Sequence, residues 1–186
     1  IVRATGLYLV QSQGTPEVAQ QTSGLLRHSD PLLRVHALRL QRFAPASEQV
    51  ALVAPLLSDP VKSVRVAAAR ELLNASPNEM SRLEADAKSS ATQEWVSTLS
   101  GHLDFPETHL ILGGLALTNR EAERALSAFR EVVRLDPQRT DAWSMVVRLT
   151  SIVHGPEAAR QALSEGLSKS PNDALLNALA AQLREP

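Results

Sequence analysis

The chain has 186 residues, of which 44% are hydrophobic and 21% are charged, with a formal net charge of -1. This composition excludes a wholly disordered chain, and the near-zero charge argues against a nucleic-acid partner. The absence of cysteine excludes disulfides, thiolate catalysis and cysteine-ligated zinc, but it fits both a cytoplasm and a periplasm. With few aromatic residues, the core must be built from Leu, Val and Ala, which favours an all-α fold.

The chain begins Ile-Val-Arg without Met, so we interpret it as part of a longer or matured protein. Its longest apolar run, from Leu110 to Leu117, is less than half of the roughly 20 residues that span a bilayer. We therefore expect no membrane insertion.

Residues 1–74 contain a loose repeat. Three apolar helical stretches begin with Val2-Arg3, Val35-His36 and Val64-Arg65. Two of them follow a Ser-Asp-Pro turn, in which Asp30 and Asp59 are expected to cap the next helix and Pro to occupy its first turn.

This pattern resembles the HEAT-like repeat in its short form of about 30 residues. The resemblance implies that an arginine of each repeat pairs with the turn aspartate of a neighbouring repeat, and we call this series of pairs the ladder. Arg3 and Arg65 would take this role. His36 departs from the pattern and would weaken the ladder in its middle. It also implies that the first repeat is truncated. Apolar surface would then be exposed at Ile1, Leu7 and Leu9, and the fragment is expected to self-associate.

Residues 75–105 are predicted to form a bridging helix. Ser76-Pro77-Asn78-Glu79 is typical of a helix start. Apolar residues then follow at spacings of three and four, at Met80, Leu83, Ala87, Ala91, Trp95 and Leu99. The helix is expected to end near Gly101.

Residues 106–186 repeat with a period of 34, because Ala125, Ala128, Phe129 and Pro137 recur as Ala159, Ala162, Leu163 and Pro171. This resembles the tetratricopeptide (TPR) repeat, a pair of helices, with Leu112 and Gly113 also at consensus positions. A last helix, about Ala174 to Leu183, would cap the stack. Together the repeats predict a right-handed α-solenoid of helical hairpins.

Ligands of TPR proteins commonly lie in the groove formed by the first helix of each pair. Carried onto this chain, the resemblance implies a protein-binding site at Glu107, Leu110, Gly114, Leu117, Asp141, Ser144, Arg148 and Ser151. Only Arg148 is a candidate anion holder, so capture of a chaperone C-terminus is not expected. The groove would bind a short peptide segment or another part of the same protein.

No residue pattern indicates chemistry. The five histidines lack the i, i+4 spacing of a helical metal site, Gly113-Gly114 lacks the phosphate-loop pattern, and no Gly-x-Ser-x-Gly elbow occurs. We expect no catalysis, no cofactor and no metal.

The densest basic stretch contains Arg27, His28, Arg34, His36, Arg39 and Arg42. It is interpreted either as a docking patch for an acidic partner or a phosphate backbone, or as a solvated helix face with pairing between repeats. The second interpretation is favoured because the net charge is modest and no aromatic residues are interleaved.

The order of repeats, together with the block from Asp104 to Gly113 and the block from Ala128 to Pro137, resembles the C-terminal region of exported bacterial multihaem c-type cytochrome proteins. Without cysteine, the chain itself has no haem-attachment motif. The resemblance implies a non-catalytic protein-interaction scaffold in a larger bacterial protein, periplasmic or alternatively cytoplasmic. The alternative function is a regulatory or docking arm of an upstream redox domain.

Overall fold

The computed structural model of the protein describes residues 2–183, apart from the Pro77 side chain. Within this part of the chain the regular structure is entirely helical, with eleven α-helices and short 3-10 turns. The expected all-α fold is confirmed. The chain forms two compact units, Ile1–Thr98 and Leu99–Pro186.

The helices of each unit follow one another along the chain. The first unit contains α1 (Val2–Val10), α2 (Pro16–Thr22), α3 (Pro31–Leu40), α4 (Ala46–Val53), α5 (Lys62–Glu71) and all but the last residue of α6 (Arg82–Leu99). The second unit contains α7 (Pro106–Thr118), α8 (Ala122–Leu135), α9 (Thr140–His154), α10 (Pro156–Lys169) and α11 (Ala174–Gln182).

The two Ser-Asp-Pro turns differ in length before the helix begins. Asp30 caps α3 as predicted, since its side chain accepts a hydrogen bond from the backbone N–H of Leu32 at 2.9 Å and Pro31 is the first helical residue. Asp59 instead accepts from the N–H of Val61, and α5 begins only at Lys62. The second turn is therefore two residues longer, and the predicted cap on α5 is wrong.

A buried arginine links the two Ser-Asp-Pro turns. Nε and Nη2 of Arg34 each donate to one carboxylate oxygen of Asp59 at 2.9 Å, and Nη1 donates to the carbonyls of His28 and Ser29. Both charged side chains are about nine-tenths buried. The pair is bidentate and four of the five N–H donors of Arg34 are used, which suits a buried charge.

Arg65 repeats the arrangement of Arg34 at the second Ser-Asp-Pro turn. Its Nη1 also donates to the carbonyls six and five residues before it, and its Nε and Nη2 bind the carboxylate of Glu94 on α6. The prediction that His36 occupies the middle of the ladder is wrong, because the two-residue difference between the turns puts Arg34 there. Arg3, the other predicted member, forms no ion pair with any of residues 2–183.

The long helix starts later than predicted. Ser76 and Glu79 form a separate 3-10 turn, in which the N–H of Ser76 donates to the Glu79 carboxylate. A second pair with the same spacing follows, since the N–H of Ser81 donates to Glu84 and the N–H of Glu84 donates to the Ser81 hydroxyl. This reciprocal capping box begins α6 at Arg82.

Small residues allow close packing of the helices in the second unit. A Cβ atom added to Gly113 on α7 would lie 2.8 Å from Cε2 of Phe129 on α8. In the following pair, α9 and α10, Val147 and Leu163 take these two positions of the repeat, and both are buried. Val147 is larger than Gly113, and Leu163 is smaller than Phe129, so the increase in size on the first helix is offset on the second within the same core cluster.

The apolar residues of α1 are largely exposed, as Leu9 is 66% exposed and Val2 is 86% exposed. Leu7 is half-buried, and Ile1 lies outside the described residues. The predicted exposure at Leu9 is confirmed, whereas self-association stays a prediction.

Candidate functional site

On α7, the predicted groove positions include two half-buried leucines and a glycine that faces open space. Leu110 and Leu117 are half-buried and pack against the core of the second unit. Gly114 lies between them along the helix, and a Cβ atom added there would meet no atom within 4 Å. The missing side chain therefore leaves open surface between two partly exposed leucines, where an apolar side chain of a bound segment would make contact.

On α9, two of the predicted positions are already engaged within the protein. Nε and Nη2 of Arg139 donate to the two carboxylate oxygens of Asp141 at 3.1 and 3.0 Å. The hydrogen bond from Arg139 is the main cause that lowers the pKa of Asp141. Ser144 is buried, and its hydroxyl donates to the carbonyl of Asp141 at 2.7 Å. Ser144 is therefore not open to a ligand.

The remaining positions on α9 are accessible. Arg148 is exposed and forms no ion pair within residues 2–183, while Ser151 is half-buried. The neighbouring Ile152 is 73% exposed. This end of α9 thus presents a cation, a hydroxyl and an apolar side chain.

Arg139 joins the predicted positions of α7 to those of α9, and sequence reasoning missed it. Its Nη1 lies 3.4 Å from Glu107 at the start of α7, while its other two nitrogen donors bind Asp141. Its pKa is raised chiefly by the hydrogen bond to Asp141. The repeat period of 34 leads from Glu107 to Asp141 rather than to Arg139, so the spacing of residues along the chain provides no signal for it.

A basic cleft lies in the first unit, with a volume of about 690 Å³. Four cations line it, two from the end of α3 and its following turn and two from α5: Arg39, Arg42, Lys62 and Arg70. Val35, Val66 and Ala67 supply its apolar lining, and Glu71 is its carboxylate. We refer to this set of residues as the basic cleft.

The basic stretch identified in the sequence is divided by the fold. Arg34 is buried in the ion pair with Asp59, which confirms pairing between the turns for that residue. His36 accepts a hydrogen bond from Gln11, and burial followed by the charge of Arg39 lowers its pKa. Only Arg39 and Arg42 line the basic cleft. Lys62 and Arg70 lie on a later helix, so they could not be grouped with them by proximity in the chain.

Within residues 2–183, no cluster of three or more His, Cys, Asp or Glu side chains is arranged to hold a metal ion. The described helices include none whose length and apolar character would let it cross a bilayer. Comparison with protein-family models, with curated proteins and with solved structures gives no match to this chain.

Proposed function

We propose that the chain is a non-catalytic protein-interaction scaffold, built as a right-handed solenoid of HEAT-like pairs followed by TPR pairs in a larger bacterial protein. Two recurrences support this proposal. The arginine contacts of the first unit occur twice, at Arg34 and at Arg65. In the second unit, the positions of Gly113 and Phe129 are occupied one repeat later by Val147 and Leu163; all four residues are buried, and Phe129, Val147 and Leu163 belong to one core cluster.

The observation that carries the proposal is the open space at Gly114, between the half-buried Leu110 and Leu117, on the same unit as the exposed Arg148. An apolar side chain of a partner segment would lie over Gly114 and contact Leu110 and Leu117, where burial of apolar area would stabilise the complex. Arg148 would bind a carbonyl or carboxylate of the same segment. The occupant is a short peptide segment of a partner or of an upstream domain.

The experiment that tests this function is a pull-down from a bacterial extract with the intact chain as bait. A double variant, Gly114→Leu with Arg148→Ala, places a side chain in the open space and removes the cation. The matched control is Lys169→Ala, which removes an exposed cation at the end of α10. We expect a protein that is retained by the wild type and by the control but lost from the double variant.

An identical set of captured proteins for all three baits would contradict the use of this face. The resemblance to exported cytochrome proteins implies the alternative of a docking arm for an upstream redox domain in the periplasm. That alternative predicts Cys-x-x-Cys-His motifs in the sequence upstream, and their absence there would eliminate it.

A further inference from the structure

We propose that the basic cleft of the first unit binds an acidic peptide segment in which an apolar side chain lies between carboxylates. The site is separate from the α7 and α9 positions, and the inference does not depend on the function proposed for them. It is carried by the charge of the cleft, by the way its arginines are held, and by its apolar lining.

The charges of the cleft are unbalanced. Its lining contains four cations and the single carboxylate of Glu71. Within residues 2–183 none of these five groups forms an ion pair. The arginines of the ladder differ, since Arg34 and Arg65 each make two hydrogen bonds to a carboxylate and two to carbonyls. The cleft therefore keeps hydrogen-bond donors that the ladder has already used.

Aromatic rings hold two of the cleft arginines by their faces. The guanidinium carbon of Arg42 lies 5.1 Å from the ring centre of Phe43, and that of Arg70 lies 5.0 Å from the ring of Trp95. A cation–π contact of this kind restrains the guanidinium without using its N–H donors in a hydrogen bond to a carboxylate. Restrained arginine donors suit carboxylates, which accept two parallel hydrogen bonds from arginine.

The electrostatics of the cleft favour an added anion. Burial is the main cause that lowers the pKa of Arg70, and the positive charge of Arg39 lowers it further. Burial raises the pKa of Glu71, although the charges of Arg42, Arg70 and Arg39 oppose that change. The charge of Glu71 opposes the effect of Arg39 on the pKa of Arg70, and a bound carboxylate would oppose it further.

The lining favours a peptide over a nucleic acid. Val35, Val66 and Ala67 give the cleft an apolar surface, and its volume is that of a pocket for a few side chains. None of the described residues that line it is aromatic, and Trp95 is covered by Arg70, so no ring of this lining is available for stacking of bases. The combination of apolar surface and cations fits a segment with an apolar side chain and flanking Asp or Glu.

The experiment uses the full chain and a fluorescein-labelled peptide that repeats Glu-Glu-Leu, with fluorescence anisotropy as the readout. A Gln-Gln-Leu peptide and an unstructured oligothymidylate are the comparison probes. We expect saturable binding of the acidic peptide, loss of at least about tenfold in affinity for Arg39→Gln with Arg70→Gln, and weakening by added salt. The matched control Arg82→Gln, which removes an exposed cation of the same unit outside the cleft, should stay within about twofold.

Glu71→Gln provides an independent test, because it removes the cleft's own carboxylate and should tighten binding of the acidic peptide. If circular dichroism shows that the double variant does not fold, the effect of Glu71→Gln on peptide affinity tests the proposal instead. Absence of saturable binding, equal binding of the Gln peptide, or equal losses in the Arg82→Gln control would overturn the proposal. Stronger binding of oligothymidylate than of the acidic peptide would also overturn it, in favour of a nucleic-acid site.

Discussion

Gly113 and Gly114 are adjacent on α7, but Gly113 faces the ring of Phe129 whereas Gly114 faces open space. Substitution by Ala should therefore have opposite effects on stability at the two positions. Replacing Gly by Ala inside a helix stabilises it by about 0.8–1.0 kcal/mol at either position. At Gly114 a new methyl group meets no atom within 4 Å, so this gain should be observed. At Gly113 the methyl carbon would lie 2.8 Å from Cε2 and 3.0 Å from Cζ of Phe129.

Ordinary contacts between carbon atoms are about 3.5–4.0 Å, so the ring of Phe129 or the α8 backbone must move by roughly 1 Å. Phe129 is buried in the core, and overpacking of this kind costs about 1–3 kcal/mol. Because the helix-propensity gain is common to both variants, it cancels in their comparison. Gly114→Ala should therefore be more stable than Gly113→Ala by about 1–3 kcal/mol.

The assay is equilibrium unfolding in urea, followed by the fluorescence of Trp143, which lies in the same core cluster as Phe129. A Trp95→Phe background removes the other tryptophan of the chain, so that the signal reports the second unit alone. Far-ultraviolet circular dichroism follows the helices of both units, so coincidence of the two signals would indicate a single transition. A difference below about 0.5 kcal/mol between the two variants, or a more stable Gly113→Ala, would show that the close approach does not limit packing.

Two further predictions concern charges in the first unit. Arg34→Met leaves Asp59 buried without its partner and should lower the free energy of unfolding by about 3–5 kcal/mol. Adding Asp59→Asn to this variant should recover part of the loss. Urea unfolding of the single and double variants measures the coupling between the two residues, and additive losses would contradict it. For Glu71, burial raises the pKa above its ordinary value of 4.5, so the folded state binds the proton more tightly and stability should fall as pH rises through the ordinary value to the raised one. Glu71→Gln should abolish this decline, which thermal melts between about pH 4 and pH 7 would show, and an unchanged pH dependence would contradict the assignment.

Local signals in the sequence predicted the helices because each signal acts on neighbouring residues. Asp30 before Pro31 satisfies the first N–H groups of α3, and the capping residue Asp173 starts α11 at Ala174 as expected. The start of α6 was predicted at the first of two similar signals. Two Ser-x-x-Glu pairs follow one another there, at Ser76 and Ser81, and only the second leads directly into the helix.

The groove positions on α7 and α9 could be grouped by repeat spacing, but their availability could not. Whether a serine such as Ser144 is open or bonded depends on its burial against neighbouring helices. Likewise, the partner of Asp141 is Arg139, which no repeat consensus singled out. Repeat spacing thus indicates which positions share a face, and packing decides which of them can reach a ligand.

The sequence by itself determined the all-α fold and the two regions of different period, because capping, proline placement and apolar spacing are properties of short segments. Only the tertiary structure decided which arginine enters the ladder, since a two-residue difference between turns exchanges Arg34 for His36. It also decided the composition of the basic cleft, whose cations come from α3, from the turn that follows it and from α5. Sequence signals act within short segments, whereas a charged cleft forms only where packing brings separate segments together.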